Sequence, residues 1–339
     1  EPVVDDAELK HWRDAGHVAR RTLEYMRERI TEGRTWAEVI EESEAFIRRK
    51  GGKPAFPATI AVDHMAAHYT TDHANRPPKT WEREMVFEKG DLVKLDVGVQ
   101  IKGCIGDNAL SLEVGGSKNH TEQIRISEEA RDASVEAMMP GTPWHEVGAA
   151  ADQVVTDAGF QPIRNLCGHQ LKPNNLHSGV SVPSFACGKG HDGFKGVVPS
   201  EGFFAIEPFN TTGEQGLIEN VSPPSSSNIF RVTGQVNVRR ALSKKALKPL
   251  GATLARYMEE RYGTLPFAQR WGYELLRKTF PQEEEASLQS KWNALVKKLI
   301  SIRFLETYPA LSCADGGYVG QFEHTIYVHE GGPEILTVE

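Results

Sequence analysis

Residues Leu92 to Leu110 read LVKLDVGVQIKGCIGDNAL. Val93, Leu95, Val97 and Val99 alternate with Lys94, Asp96, Gly98 and Gln100, the period-two signature of a strand with one buried face. Asp96 falls on the polar face. Lys102-Gly103 supplies turn chemistry, and Cys104 to Leu110 can return as an antiparallel partner. With an even number of loop residues, paired positions add to an odd number, as 96 and 107 do. Asp96 and Asp107 then share a face, directly opposite or one diagonal step apart, within about 4.5–8 Å. Two carboxylates that close repel unless one is protonated or a cation lies between them. The bland alternative is two solvated acids on a hairpin surface, so residues elsewhere must decide.

The rest of the chain sets the frame for that hairpin. Its 339 residues can bury a sizeable core, and 39% hydrophobic with 25% charged residues is ordinary for a soluble globular protein. No apolar run reaches the roughly 20 residues of a spanning helix, so no membrane partner is expected. EPVVDDAELK at the start has no apolar h-region, so no signal peptide is expected, and the missing initiator Met implies processing or trimming. Cys104, Cys167, Cys187 and Cys313 are widely spaced without a CxxC pair, as in a reducing, cytoplasmic compartment. A net charge of −7 argues against nucleic-acid affinity.

Asp5 or Asp6 can cap a helix running to Ile30, on which Leu9, Trp12, Ala19, Leu23 and Met26 recur at helical spacing. A second helix starts near Thr35 and stops before Gly51-Gly52. Gly33-Arg-Thr-Trp36-Ala-Glu38-Val39 is then echoed by Gly141-Thr-Pro-Trp144-His-Glu146-Val147, at an offset that Gly51 and Gly159 share. Each copy follows a helix, the later one spanning Thr121 to Met138, which predicts a duplicated half with a site at the junction. Strands are expected at Phe203–Phe209, Tyr318–Val328 and Glu334–Val338. Between them, from about Asn237 to Ile300, three apolar stripes predict helices: Leu250, Leu254, Tyr257; Phe267, Trp271, Leu275; and Leu288, Trp292, Leu295, Leu299.

Asp96, Asp107, His169, Glu207 and Glu323 are the candidate ligands. His169 in LCGH, Glu207 in FAIEPF and Glu323 in QFEH sit in apolar settings, where an isolated charge must neutralise or bind something positive. Four carboxylates and one imidazole suit a pair of divalent ions bridged by carboxylates, about 3.5 Å apart.

FPATIAVDHMAAHY (56–69), LDVGVQIKGCIGDNA, NLCGHQLKPNNLHSGVSVP, FFAIEPF, GTLPF (263–267) and VGQFEHTI occur in an order that resembles the type 2 methionine aminopeptidases, in a short, archaeal-like form. The resemblance implies an α/β pita-bread fold with pseudo-two-fold halves, residues 1–236 and 301–339 forming the catalytic domain and 237–300 the helical insertion of type 2 enzymes. It implies a cytoplasmic, monomeric exopeptidase that removes the initiator methionine from methionyl peptides and nascent chains, with the ribosome as a candidate docking partner and a small second residue preferred. A metal-activated hydroxide would attack the first peptide carbonyl. Asp96 resembles a ligand of one metal, Asp107 and Glu323 the bridges, and His169 and Glu207 ligands of the other, the ions being Co, Mn, Fe or Zn. Glu207 would also carry the proton, His68 would assist at the scissile amide and His177 at the carbonyl. Phe56 and Tyr308 resemble walls of the methionine pocket, where Gln235 departs from the His of some eukaryotic relatives. An Xaa-Pro peptidase on the same fold is disfavoured by the 56–69 stretch and the insertion. A non-catalytic ribosome- or RNA-binding relative would be expected to lose ligands, and all five are kept.

Overall fold

The computed structural model describes residues 4–74, 84–221, 227–233 and 248–338. Helix α1 (Asp6–Arg27) starts where the Asp5 carboxylate accepts from the Glu8 amide at 2.7 Å. Helix α2 (Trp36–Arg49) starts in a capping box between Thr35 and Glu38. α1 ends at Arg27 rather than Ile30: the Met26 carbonyl takes the Arg29 and Ile30 amides, and Ile30 still reaches the core. Strands β1 (Lys53–Pro54), β2 (Thr59–Val62) and β3 (Met65–Ala67) follow, then β4 (Leu92–Ile101) and β5 (Cys104–Glu113).

β4 and β5 pair antiparallel from Leu92↔Glu113 to Ile101↔Cys104. Lys102 and Gly103 form the two-residue turn with φ of 54° and 95°, the left-handed pair that a primed hairpin turn needs. β2 and β1 pair with the other edge of β4. Val93, Leu95, Val97 and Val99 pack with Ala15, Val18, Ala19 and Leu23 of α1 in the largest core. The helix lies close: a Cβ on Gly106 would sit 2.5 Å from the Ala15 carbonyl. The opposite face of the hairpin, read from the sequence as polar, is buried as well, which removes the alternative of two solvated acids. Lys94 is 1% exposed, its Nζ donating to the carbonyls of Asp63 and Leu92. What covers that face is the second half of the chain.

That half begins with α3 (Thr121–Ala137), α4 (Trp144–Asp157), β6 (Gln161–Pro162), β7 (Gly168–Leu171), β8 (Ser181–Val182), β9 (Gly202–Ile206), β10 (Phe209–Thr211) and β11 (Ile218–Asn220). β12 (Ile229–Val232), α5 (Lys248–Tyr262), β13 (Phe267–Ala268), α6 (Gln269–Thr279) and α7 (Glu285–Ser301) come next. β14 (Leu305–Tyr308), β15 (Leu311–Cys313), β16 (Val319–Gln321), β17 (His324–His329) and β18 (Gly332–Ile335) close the chain. The main sheet is β18-β17-β9-β7-β8, and β16-β10-β6 forms a smaller one beside it.

The duplication is visible in the backbone. Gly33 and Gly141 hold φ of 84° and 85°, and Gly51 and Gly159 hold 87° and 83°. Gly33 donates to the Phe87 carbonyl and Gly141 to that of Val198, while Phe87 and Val198 donate back to Arg34 and Thr142. α2 and α4 each run 14 residues.

Two strands expected to be continuous are broken. Phe203–Phe209 splits into β9 and β10 at Glu207-Pro208, because Pro208 has no N–H to give a ladder. Tyr318–Val328 splits into β16 and β17 at Phe322-Glu323, where the Glu323 amide turns to the Ala109 carbonyl of β5. β18 likewise lies slightly ahead of the expected Glu334–Val338.

α5, α6 and α7 share a core with β12, β13 and β14 that includes Phe230, Leu254, Phe267, Leu276, Trp292 and Leu299. The stripe expected from Leu288 to Leu299 is buried on α7. Phe267 is in a strand instead of a helix, since α6 starts only after Ala268. On α6, Tyr273 and Leu276 take the buried positions, while Trp271, drawn by its Nε1–H to Glu44, and Leu275 are half-buried. Gln235, Asn237 and the Leu250 side chain lie outside the described residues.

Candidate metal centre

Asp107 stands opposite Gly98 and Asp96 opposite Ala109, so the two acids share one face of the hairpin, a diagonal step apart. The second half supplies the rest. Ile206 pairs with His324 on one side of the strand breaks and Phe209 with Gln321 on the other. Carried across the gap, that register sets Glu207 against Glu323. Both carboxylates thus sit where paired strands leave one sheet for another. His169 lies on β7 opposite Ala205.

Hydroxyl groups join the halves where backbone pairing runs out. Thr325 Oγ1 accepts from the Asp107 amide at 2.7 Å and lies 2.8 Å from the Asp107 carbonyl. Ser111 Oγ does the same for Gln321, donating to its carbonyl at 2.7 Å and accepting from its amide at 2.9 Å. With the Glu323 amide on Ala109, these bonds tie the outer edge of β5 to the second half and fix Asp107 beside Glu323.

His169 Nε2 is 3.7 Å from Asp107 Oδ2 and 3.3 Å from Glu207 Oε1. Ligand atoms of Asp107, His169 and Glu323 lie within 4.8 Å of one another, and all three residues are buried. Burial raises the carboxyls of Asp96, Asp107 and Glu323 well above the usual range, their neighbours' negative charge adding to it. Burial pushes Glu207 up to about 8. Asp96 Oδ1 and Glu323 Oε1 are buried without a hydrogen-bond partner, an expensive state for a carboxylate. A divalent cation answers both facts, and oxygen donors with one imidazole fit such an ion.

A cleft opens over this cluster. It brings together every site residue expected from the sequence: Asp96, Asp107, His169, Glu207, Glu323, His68, His177, Phe56 and Tyr308. His177 is 4.3 Å from His169, ring to ring, and stacks at 6.0 Å on Tyr308, whose ring meets His68 edge-on at 5.7 Å. Burial lowers His68 to about 4 and His177 to about 2, so both imidazoles are neutral at neutral pH. Phe56 packs where a Cβ on Gly98 would fall 2.2 Å from its ring. Thr59, Leu176, Ile229 and Pro266 also line the cleft and were not singled out from the sequence. Thr59 faces Asp96 across β2 and β4, Leu176 adjoins His177, and Pro266 belongs to the GTLPF motif; for Ile229 no sequence signal existed.

Comparison with known proteins bears on the family. The profile of metallopeptidase family M24 matches residues 10–239. Methionine aminopeptidase of Archaeoglobus fulgidus is 34% identical over 98% of this chain and 100% of its own. That of Pyrococcus horikoshii is 32% identical over 96% and 97%. Among solved structures, methionine aminopeptidase of Thermotoga maritima superposes with a TM-score of 0.63 at 20% identity, over 100% and 99% of the two chains. A thermophilic Arx1 gives 0.78 at 14%, over 98% and 91%; at such identities these two show the pita-bread fold alone. A buried acidic cluster at the join of duplicated halves and relatives matched end to end agree: the chain belongs to metallopeptidase family M24, among the methionine aminopeptidases.

Proposed function

We propose that this chain is a type 2 methionine aminopeptidase that releases the N-terminal methionine from peptides and nascent chains, using two divalent ions. The carrying observation is that four carboxylates and His169 meet at the floor of a cleft whose walls are Phe56, His68, His177 and Tyr308. Asp96 would hold one ion, Asp107 and Glu323 both, and His169 and Glu207 the other. Bound there, the ions would acidify a water and polarise the scissile carbonyl. Glu207 would take up and pass on a proton. Neutral His177 can donate to the carbonyl oxygen, and neutral His68 can serve the departing amide nitrogen. Phe56 and Tyr308, both lining the cleft, would give an unbranched thioether side chain apolar walls.

Residues 1–236 and 301–339 are then the catalytic unit and 237–300 the insertion that marks the type. No helix among the described residues is long and apolar enough to cross a membrane. The test is steady-state cleavage of Met-Ala-Ser, Met-Lys-Ser and Ala-Pro peptides, after chelation and after return of Co, Mn, Fe or Zn, with metal counted by elemental analysis. Met-Ala-Ser should be preferred and activity should need added metal. Equal cleavage of Met-Lys-Ser would remove the small-second-residue preference, and a preference for Ala-Pro would replace the assignment with an Xaa-Pro peptidase.

A further inference from the structure

His68 has a φ of 63°, a left-handed conformation that a non-glycine residue holds only when its surroundings impose it. The loop behind it is buried without being in a helix or strand: Thr70 and Thr71 are 0% exposed and Asp72 is 4%. A buried loop needs partners for its polar groups, and here several come from far along the chain. Asn228 Nδ2 donates to the Thr70 carbonyl at 2.8 Å. Gln269, the first residue of α6, accepts from the His73 amide at 3.0 Å and meets His73 Nδ1 at 2.7 Å. Its own amide donates to the Asn228 carbonyl. Arg270 donates to Thr70 Oγ1 at 3.3 Å, and the His73 ring stacks on Tyr273 of α6 at 4.0 Å.

Arg270 is itself anchored. Both of its Nη atoms bond the carboxylate of Glu44 on α2, which also accepts from Trp271 Nε1 at 3.0 Å. The side chains of this pair are 10% and 3% exposed, so the fork is dry and fixed in geometry. A contact meant only to hold α6 against α2 would be complete with that pair. Gln269 and Arg270 go further, to residues two and five places beyond His68.

We propose that Gln269 and Arg270 are positioning residues for His68: α6 clamps the loop that aims the imidazole into the cleft. This rests on the role given to His68 above. The test is a set of double-mutant cycles on the metal-loaded enzyme. Gln269→Met keeps the side-chain volume and removes both bonds to His73, and Thr70→Val removes the Arg270 contact while sparing the buried pair. Gln269→Met should lower kcat for Met-Ala-Ser about tenfold to a hundredfold, the scale of a slight misplacement. Thr70→Val should lower it less, and in both variants KM and metal stoichiometry should stay near the parent's. His68→Ala alone should lower kcat by about 10²–10⁴, and Gln269→Met should then add no further loss, because the group it aims is gone. Equal losses in both backgrounds, or none in the parent, overturn the clamp while leaving the role of His68 standing. If His68→Ala keeps full turnover, the role of His68 fails first and the clamp with it.

Discussion

The two pairs of carboxylates that meet in the cleft are delivered by opposite means. Asp96 and Asp107 ride on an unbroken hairpin of two ten-residue strands, where register alone puts them on one face. Glu207 and Glu323 sit where paired strands break and cross between sheets. Regular pairing places a side chain cheaply but only at fixed spacings. A break frees the backbone to turn a carboxylate inward, and its loose ends must then be tied elsewhere, here by Ser111 Oγ on Gln321 and the Ala109 carbonyl on Glu323, while Thr325 of β17 holds the Asp107 backbone of the hairpin. The hairpin should therefore tolerate loss of a ligand as a fold, whereas the broken side should depend on its ties.

The largest effect tests the first half of that contrast. Asp107→Asn removes a carboxylate but no backbone bond, so turnover of Met-Ala-Ser should fall to background and at least one ion should be lost. The metal-free variant should melt no lower than the metal-free parent, because crowded buried carboxylates repel. Elemental analysis, kinetics and thermal melting check all three, and two tightly held ions with normal turnover would break the assignment. Thr325→Val tests the tie that runs from β17, on the broken side, to the hairpin. It strips the partner from the Asp107 amide and carbonyl, which should lower stability by about 1–3 kcal/mol in urea unfolding. It should also weaken metal affinity about 10–100-fold, as loss of a ligand's supporting bond does.

Gly98→Ala sharpens the comparison on the hairpin itself. Its Cβ would fall 2.2 Å from the Phe56 ring, so Phe56 must shift. KM for methionyl substrates should rise about tenfold, the scale of lost apolar pocket contact, with a smaller change in kcat. The smallest effect lies away from the site. Asp315 accepts from Cys313 Sγ and from the amides of Gln215 and Gly317, which hold its carboxyl down to about 2. A carboxyl lowered on folding stabilises above its unfolded value near 3.9 and loses that contribution as pH falls toward 2. Asp315→Asn should therefore lower the melting temperature slightly at pH 7 and not at pH 2; an equal drop at both would show that the charge is not what matters.

Much was legible in the chain alone, for a local reason. Alternation, turn residues and caps act over a few positions, so the β4–β5 hairpin, the shared face of Asp96 and Asp107, the caps of α1 and α2 and the duplicated Gly-Trp segments could all be read from neighbours. Hairpin register and apolar settings marked the five ligand candidates, motif resemblance added His68, His177, Phe56 and Tyr308, and the cleft contains them all. What the sequence left open depends on contacts distant along the chain. Period-two alternation in β4 suggested a polar face, yet Lys94 and Asp107 are buried because the second half lies over them. Tyr318–Val328 carried a strand pattern throughout, and only the competing bond from Glu323 to Ala109 breaks it. Pro266 joins the cleft, and Gln269 reaches His73, from nearly two hundred positions beyond the His68 loop. No periodicity encodes such meetings: they follow from which buried polar groups still need partners once the halves have closed on each other.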